Sequence, residues 1–78
     1  RGIGTVVNKT KAKEYDKKGC ELNDIDSCEN LAEILYKDDK NVAGAKYYFN
    51  KTCNMKKYIK NKINQKTVEQ SCKRAKDL

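Results

Sequence analysis

The residues best able to do chemistry are four cysteines, at positions 20, 28, 53 and 72. Their even number favours two disulfides; four reduced thiols in a core are the alternative. They do not read as a metal centre. There is no His, no C-x-x-C pair, and every spacing between neighbouring cysteines is too wide for the usual knuckle. No metal and no cofactor are expected. Without His there is no Ser–His or Cys–His pair and no imidazole base. The carboxylates Glu14, Asp16, Glu21, Asp24, Asp26, Glu29, Glu33, Asp38 and Asp39 read as solvated surface and helix caps rather than a buried acid–base pair. Ser27 and Ser71 are followed three residues on by Asn30 and Arg74, so neither starts a Ser-x-x-Lys nucleophile. No catalytic residue is expected.

The elements around the cysteines have little else to hold them. Seventy-eight residues make one domain at most, here taken as 1–78. Hydrophobic and charged residues are each 37% of the chain, with no Trp and one Phe, so the core is thin. Two bridges at roughly 2–4 kcal/mol each are large against a core giving roughly 3–5 kcal/mol. Paired cysteines point to an oxidising compartment, periplasmic or secreted. The longest apolar runs are pairs and triplets such as Val6-Val7 and Tyr47-Tyr48-Phe49, far below a membrane span. A start at Arg1 suggests a processed chain or a piece of a longer one. Asn8-Lys9-Thr10 and Asn50-Lys51-Thr52 are formal glycosylation acceptors.

No Pro interrupts the chain. Gly2-Ile3-Gly4-Thr5 reads as a leading turn. Ala12, Tyr15, Gly19 and Leu22, with Cys20 beside them, recur at helical steps and predict a helix over 9–22 whose face they form. Cys28, Leu31, Ala32, Leu35 and Tyr36, with Ile34, predict a second over 27–36, capped by Asp26 and Glu29. Ala45, Tyr48, Phe49, Thr52 and Cys53 predict a third over 43–54. Val68, Cys72 and Ala75 predict a fourth over 68–77, capped by Thr67 and Gln70. Lys56 to Lys66, with Tyr58, Ile59 and Ile63, has room for an extra turn or two.

These helices repeat. Ala12, Lys13, Tyr15, Lys18 and Cys20 return 33 residues later as Ala45, Lys46, Tyr48, Lys51 and Cys53, and Met55 echoes Leu22. Ser27-Cys28 returns 44 residues later as Ser71-Cys72. Two helix-pair units follow, 9–36 and 43–78, the second expanded by about eleven residues. Of the three connectivities open to four cysteines, the repeat favours Cys20 with Cys28 and Cys53 with Cys72.

The run from Ala12 to Asp24, with Tyr15, Lys18, Gly19, Cys20 and Leu22, followed by Cys28-Glu29-Asn30-Leu31-Ala32, resembles the Sel1-like repeat family, and within it the cysteine-rich bacterial branch typified by the Helicobacter cysteine-rich proteins. The likeness covers about residues 1–55 and is loose beyond, where Cys72 stands in place of a cysteine at Asn61. It implies an all-α fold of disulfide-stapled αα-hairpin repeats related to tetratricopeptide repeats, a fragment of an α-solenoid, in which Cys20 and Cys28 are a paired set. It also implies a binding role on a concave side. Some members of the branch resemble penicillin-binding proteins and are assigned β-lactamase activity, so the resemblance sets a weak β-lactam-binding or β-lactamase-like protein as one alternative to a non-catalytic module.

Charge adds a second expectation. Residues 1–50 carry nine basic and nine acidic side chains, whereas 51–78 carry nine basic and two acidic, so the net charge of +7 lies in the last third. Such a patch attracts acidic partners. Tyr47, Phe49, Lys56, Lys57, Tyr58, Lys60, Lys62 and Lys66 are the expected binding residues. The expected partner is a protein or peptide, acidic if the lysines take part. A nucleic acid is the less favoured alternative, because only Arg74 among the nine cations has the bidentate geometry that reads bases. Neighbouring repeats are further partners if the chain belongs to a longer array.

Overall fold

The structure, a computed structural model, describes residues 9–78. The turn expected at Gly2–Thr5 and the Asn8 acceptor lie outside them. The elements in order are α1 (Lys9–Glu21), α2 (Ile25–Lys37), α3 (Val42–Cys53), a 3₁₀ turn (Lys56–Tyr58) and α4 (Lys62–Asp77). Among the described residues there is no strand, and no helix is long and apolar enough to cross a membrane. The chain is all-α and holds two disulfides, Cys20–Cys28 and Cys53–Cys72.

The turn between α1 and α2 shows why the first pair closes so tightly. Asn23 takes the left-handed conformation (φ 68°), which Asn tolerates better than most residues. The Asp24 amide then donates to the Gly19 carbonyl at 2.9 Å and the Asn23 amide to that of Cys20 at 3.0 Å, which terminates α1. Asp24 is extended, so it can cap the next helix: its carboxylate accepts from the Asp26 amide at 3.1 Å and the Ser27 hydroxyl at 3.2 Å. Asp26 is therefore a first-turn residue that favours the helix dipole, not the cap expected from its spacing to Glu29. A methyl group on Gly19 would run into the Ser27 hydroxyl and sit 2.7 Å from its Cβ. The glycine lets α1 and α2 approach until the Cys20 and Cys28 Cα atoms are 4.5 Å apart.

The second pair is built differently. Asn41 caps α3 by accepting from the Gly44 amide at 2.9 Å. Asn61 caps α4 by accepting from the Asn64 amide at 2.8 Å, six residues ahead of the expected helix start. Thr67 is then inside the helix, where its hydroxyl donates to the Ile63 carbonyl at 3.0 Å instead of capping. The stretch Lys56–Lys66 thus divides into the 3₁₀ turn, an extended link and the first turn of α4. The Cys53–Cys72 bridge encloses it, with Cα atoms 4.6 Å apart.

Two core clusters result. One joins Cys20, Ile25 and Cys28 to Met55 and Val68, with Tyr48, Tyr58, Ile59 and Cys72 packed against it. The other joins Ala32 to Ala45, Phe49 and Ala75, flanked by Leu35, Tyr48 and Leu78. Both run across the α2–α3 boundary, so the pairs share their core. Arg74 braces the second cluster. Its guanidinium bonds the Glu33 carboxylate at 2.9 Å and lies 5.5 Å from the centre of the Phe49 ring.

One expected face is only partly a core face. Tyr15 and Leu22 are each 81% exposed. α1 packs on α2 through the rest of it, where Cys20 is buried and Ala12 and Gly19 are half-buried, with Lys13 and Asp16 beside them. The bridge at Cys20 fixes that rotation of the helix, and no described element lies over Tyr15.

Candidate functional site

The four cysteines expected to pair are all in bridges, and no thiol is free among the described residues. Ser27 is engaged with Asp24. Ser71 is fully buried, and its hydroxyl has no hydrogen-bond partner among the described residues. Ser71 is thus closed off, while Ser27 is half-buried with its hydroxyl held by Asp24. Two carboxyls titrate higher than usual. Asp16 is raised by burial and then by the nearby charge of Asp24. Glu29 is raised by burial and then by Glu33, against the opposing pull of Arg74. Both are half-buried at the α1–α2 pair and away from any nucleophile, so their shifts mark burial first and crowding of like charge second.

The expected binding residues separate into three kinds. Phe49 must be withdrawn: it is 1% exposed, sandwiched in the second cluster beneath Arg74. Its neighbour Tyr47 takes the opposite side of α3. Tyr47 is 61% exposed and stands edge-on to Tyr48, with ring centres 4.9 Å apart. Tyr58 is half-buried against the first cluster, with the Lys57 ammonium 5.2 Å from its ring centre.

The lysines are the third kind. Lys56, Lys57, Lys60, Lys62 and Lys66 are all exposed, as are Lys73 and Lys76 further along α4. The ion pairs seen among the described residues, Lys13–Asp39, Lys37–Glu33 and Arg74–Glu33, involve none of them. Arg74, counted with this patch from sequence, is committed to Glu33 and Phe49 instead.

Tyr47, Asn50, Lys51 and Asn54 follow one face of α3 at steps of three and four. With Asn23 and Met55 they line an open cleft of about 390 Å³. The asparagines were not anticipated, although their spacing from Tyr47 is a readable signal. Met55, at the end of this cleft, leads directly into Lys56 and Lys57. A hydrogen-bonding aromatic wall therefore runs into a cationic edge. Among the described residues no group of His, Cys, Asp and Glu side chains is placed to hold a metal ion.

Compared with protein-family models, curated proteins and solved structures, the chain matches none.

Proposed function

We propose that this chain is a non-catalytic binding module of the helix-pair repeat type, taking an acidic protein segment along the Tyr47 cleft and the lysine edge beside it. The carrying observation is the set of seven exposed lysines from Lys56 to Lys76, none of them in an ion pair seen among the described residues. Lysines in this state contribute little to the fold and leave an uncompensated field that steers an anionic partner. The cleft adds what charge alone lacks. Tyr47 supplies apolar area with a polar tip, and Asn23, Asn50 and Asn54 supply amide donors and acceptors for a peptide backbone. The paired cysteines, the 33-residue offset and the Ala12–Ala32 motif support the Sel1-like reading of the scaffold and an oxidising, periplasmic or secreted setting.

The test is a titration of the ¹⁵N-labelled chain with a flexible peptide of alternating Asp, Glu and Gly, followed by amide shifts. Shifts are expected at Tyr47, Lys51, Asn54 and Lys56–Lys66. The double variant Lys56→Glu, Lys57→Glu should weaken binding at least tenfold. Shifts confined to α1, or none, would remove the reading. Tighter binding of a DNA oligonucleotide, with affinity falling steeply as salt rises, would replace it with nucleic-acid recognition.

A further inference from the structure

A separate surface at the opposite end of the helix order carries its own inference. Tyr15 and Leu22 line an open cleft of about 680 Å³ on α1, together with Gly19, Lys18, Asp24 and Ser27. Two large apolar side chains, both 81% exposed on one small helix, are a poor arrangement for a chain this lean in hydrophobic residues.

The chain itself shows how such a face is covered. Tyr48 and Met55 stand 33 residues after Tyr15 and Leu22, at the same places on α3. There the methionine is 4% exposed in a cluster with Ile25 and Cys28, and the tyrosine packs against both clusters. The covering element is α2. Ile25, at its start, shares a cluster with Met55 just beyond the end of α3, while Leu35, near its end, lies against the cluster holding Ala45 from the start of α3. The cover therefore runs antiparallel and contributes a stripe of Ile25, Cys28, Ala32 and Leu35.

A second copy of this chain cannot supply that stripe by stacking head to tail. Forty-four residues on from Ile25 and Ala32, α4 carries Glu69 and Lys76, both exposed and charged. Among the described residues the Tyr15–Leu22 face is open, with charged side chains at its rim, whereas the matching positions of α4 are themselves charged.

We infer that the Tyr15–Leu22 face of α1 is a docking site for an antiparallel amphipathic helix with small and aliphatic residues at the α2 spacing, supplied by a unit other than a copy of this chain. The interface would continue the α2–α3 packing on the far side of α1. Tyr15 and Leu22 become its anchors, and Lys18 and Asp24 its polar rim.

The probe is a synthetic peptide with the sequence of residues 24–38, Cys28 replaced by Ala, and a lactam joining Glu33 to Lys37. Those two side chains already pair along one side of α2, so the link holds the helix without touching the stripe. Titrated into the labelled full chain, it should shift amides of Tyr15, Gly19, Leu22 and Ser27 and leave Lys56–Lys66 unmoved. Leu22→Ser and Tyr15→Ser, at exposed positions that do not hold the fold, should each weaken it at least tenfold. A control peptide with Leu35 and Ile25 changed to Ser should not bind. Binding that ignores the α1 substitutions, or the control peptide binding equally well, would overturn the inference. So would concentration-dependent dimerisation of the chain alone that Leu22→Ser abolishes, since the occupant would then be a second copy.

Discussion

The two helix pairs begin from nearly the same residues and end in different states. α1 and α3 share Ala, Lys, Tyr, Lys and Cys at matching places, with Leu22 answered by Met55. On α3 these residues lie between α2 and α4, and Met55 and Ala45 are buried; among the described residues α1 packs chiefly on α2, and Tyr15 and Leu22 stand in solvent. Burial is thus set by the neighbour a helix has, not by the stripe it carries. The joints differ too. Gly19 gives way to Ser27 in the first pair, while Thr52 and Ser71 occupy the matching positions of the second, both fully buried.

Substitutions that read this contrast should fall in a clear order. Phe49→Ala should cost about 3–5 kcal/mol, enough to unfold a domain of this size, whereas Tyr15→Ala should stay within about 0.5 kcal/mol; urea unfolding distinguishes them. Equal losses would mean that α1 is covered in solution. Replacing both cysteines of a bridge comes next. The eight-residue separation of Cys20–Cys28 and the nineteen of Cys53–Cys72 translate to about 2.5 and about 3 kcal/mol of chain entropy. Partial reduction with mass-spectrometric mapping should open Cys53–Cys72 first, because these two residues are only half-buried while Cys20 and Cys28 are closed off.

Smaller effects test the joints. Ser71→Ala should stabilise the fold by about 1 kcal/mol, since it removes a buried hydroxyl with no partner. The matching Ser27→Ala loses a bond to Asp24 and should destabilise by about 0.5–1 kcal/mol. Opposite signs at matching positions would be the clearest measure of how the pairs diverge. The smallest effect concerns pH. Asp16 and Glu29 titrate above their ordinary values in the fold, chiefly through burial. Each therefore favours the folded state below its unfolded pKa, and that contribution is lost as pH rises through the folded one. Asp16→Asn should flatten this loss and raise the melting temperature slightly at neutral pH.

Much of the scaffold was legible before any coordinates. Cysteine and tyrosine spacing located four helices and the offset that pairs the bridges. Helix starts were not legible where two caps compete. Asp26–Glu29 and Thr67–Gln70 both have capping-box spacing, yet Asp24 and Asn61 hold the extended backbone that a cap needs, so the helices begin earlier. Ile25 and Met55 escaped the expected core because each sits at a helix edge, where periodicity has too few turns to register. Phe49, expected both on the stripe of α3 and among the binding residues, proves to be core alone for a related reason. The run Tyr47-Tyr48-Phe49 is apolar throughout, and only the packing of α4 with Arg74 decides which ring turns inward. For Tyr15 and Leu22 the pattern identified a face correctly but could not say whether anything covers it.

The placement of the bridges also decides what a protease can do. Lys56, Lys57 and Lys60 lie in the least regular described stretch of the second pair, and all fall inside the ring closed by Cys53 and Cys72. A trypsin nick there leaves both ends tethered by sulfur. Lys37 and Lys40 flank the only link between the pairs, and no bridge spans it. A nick after Lys40 leaves two halves joined by packing alone. The most cationic stretch is thus the one where a cut releases nothing, while the quiet connector between α2 and α3 is where a single cut divides the molecule.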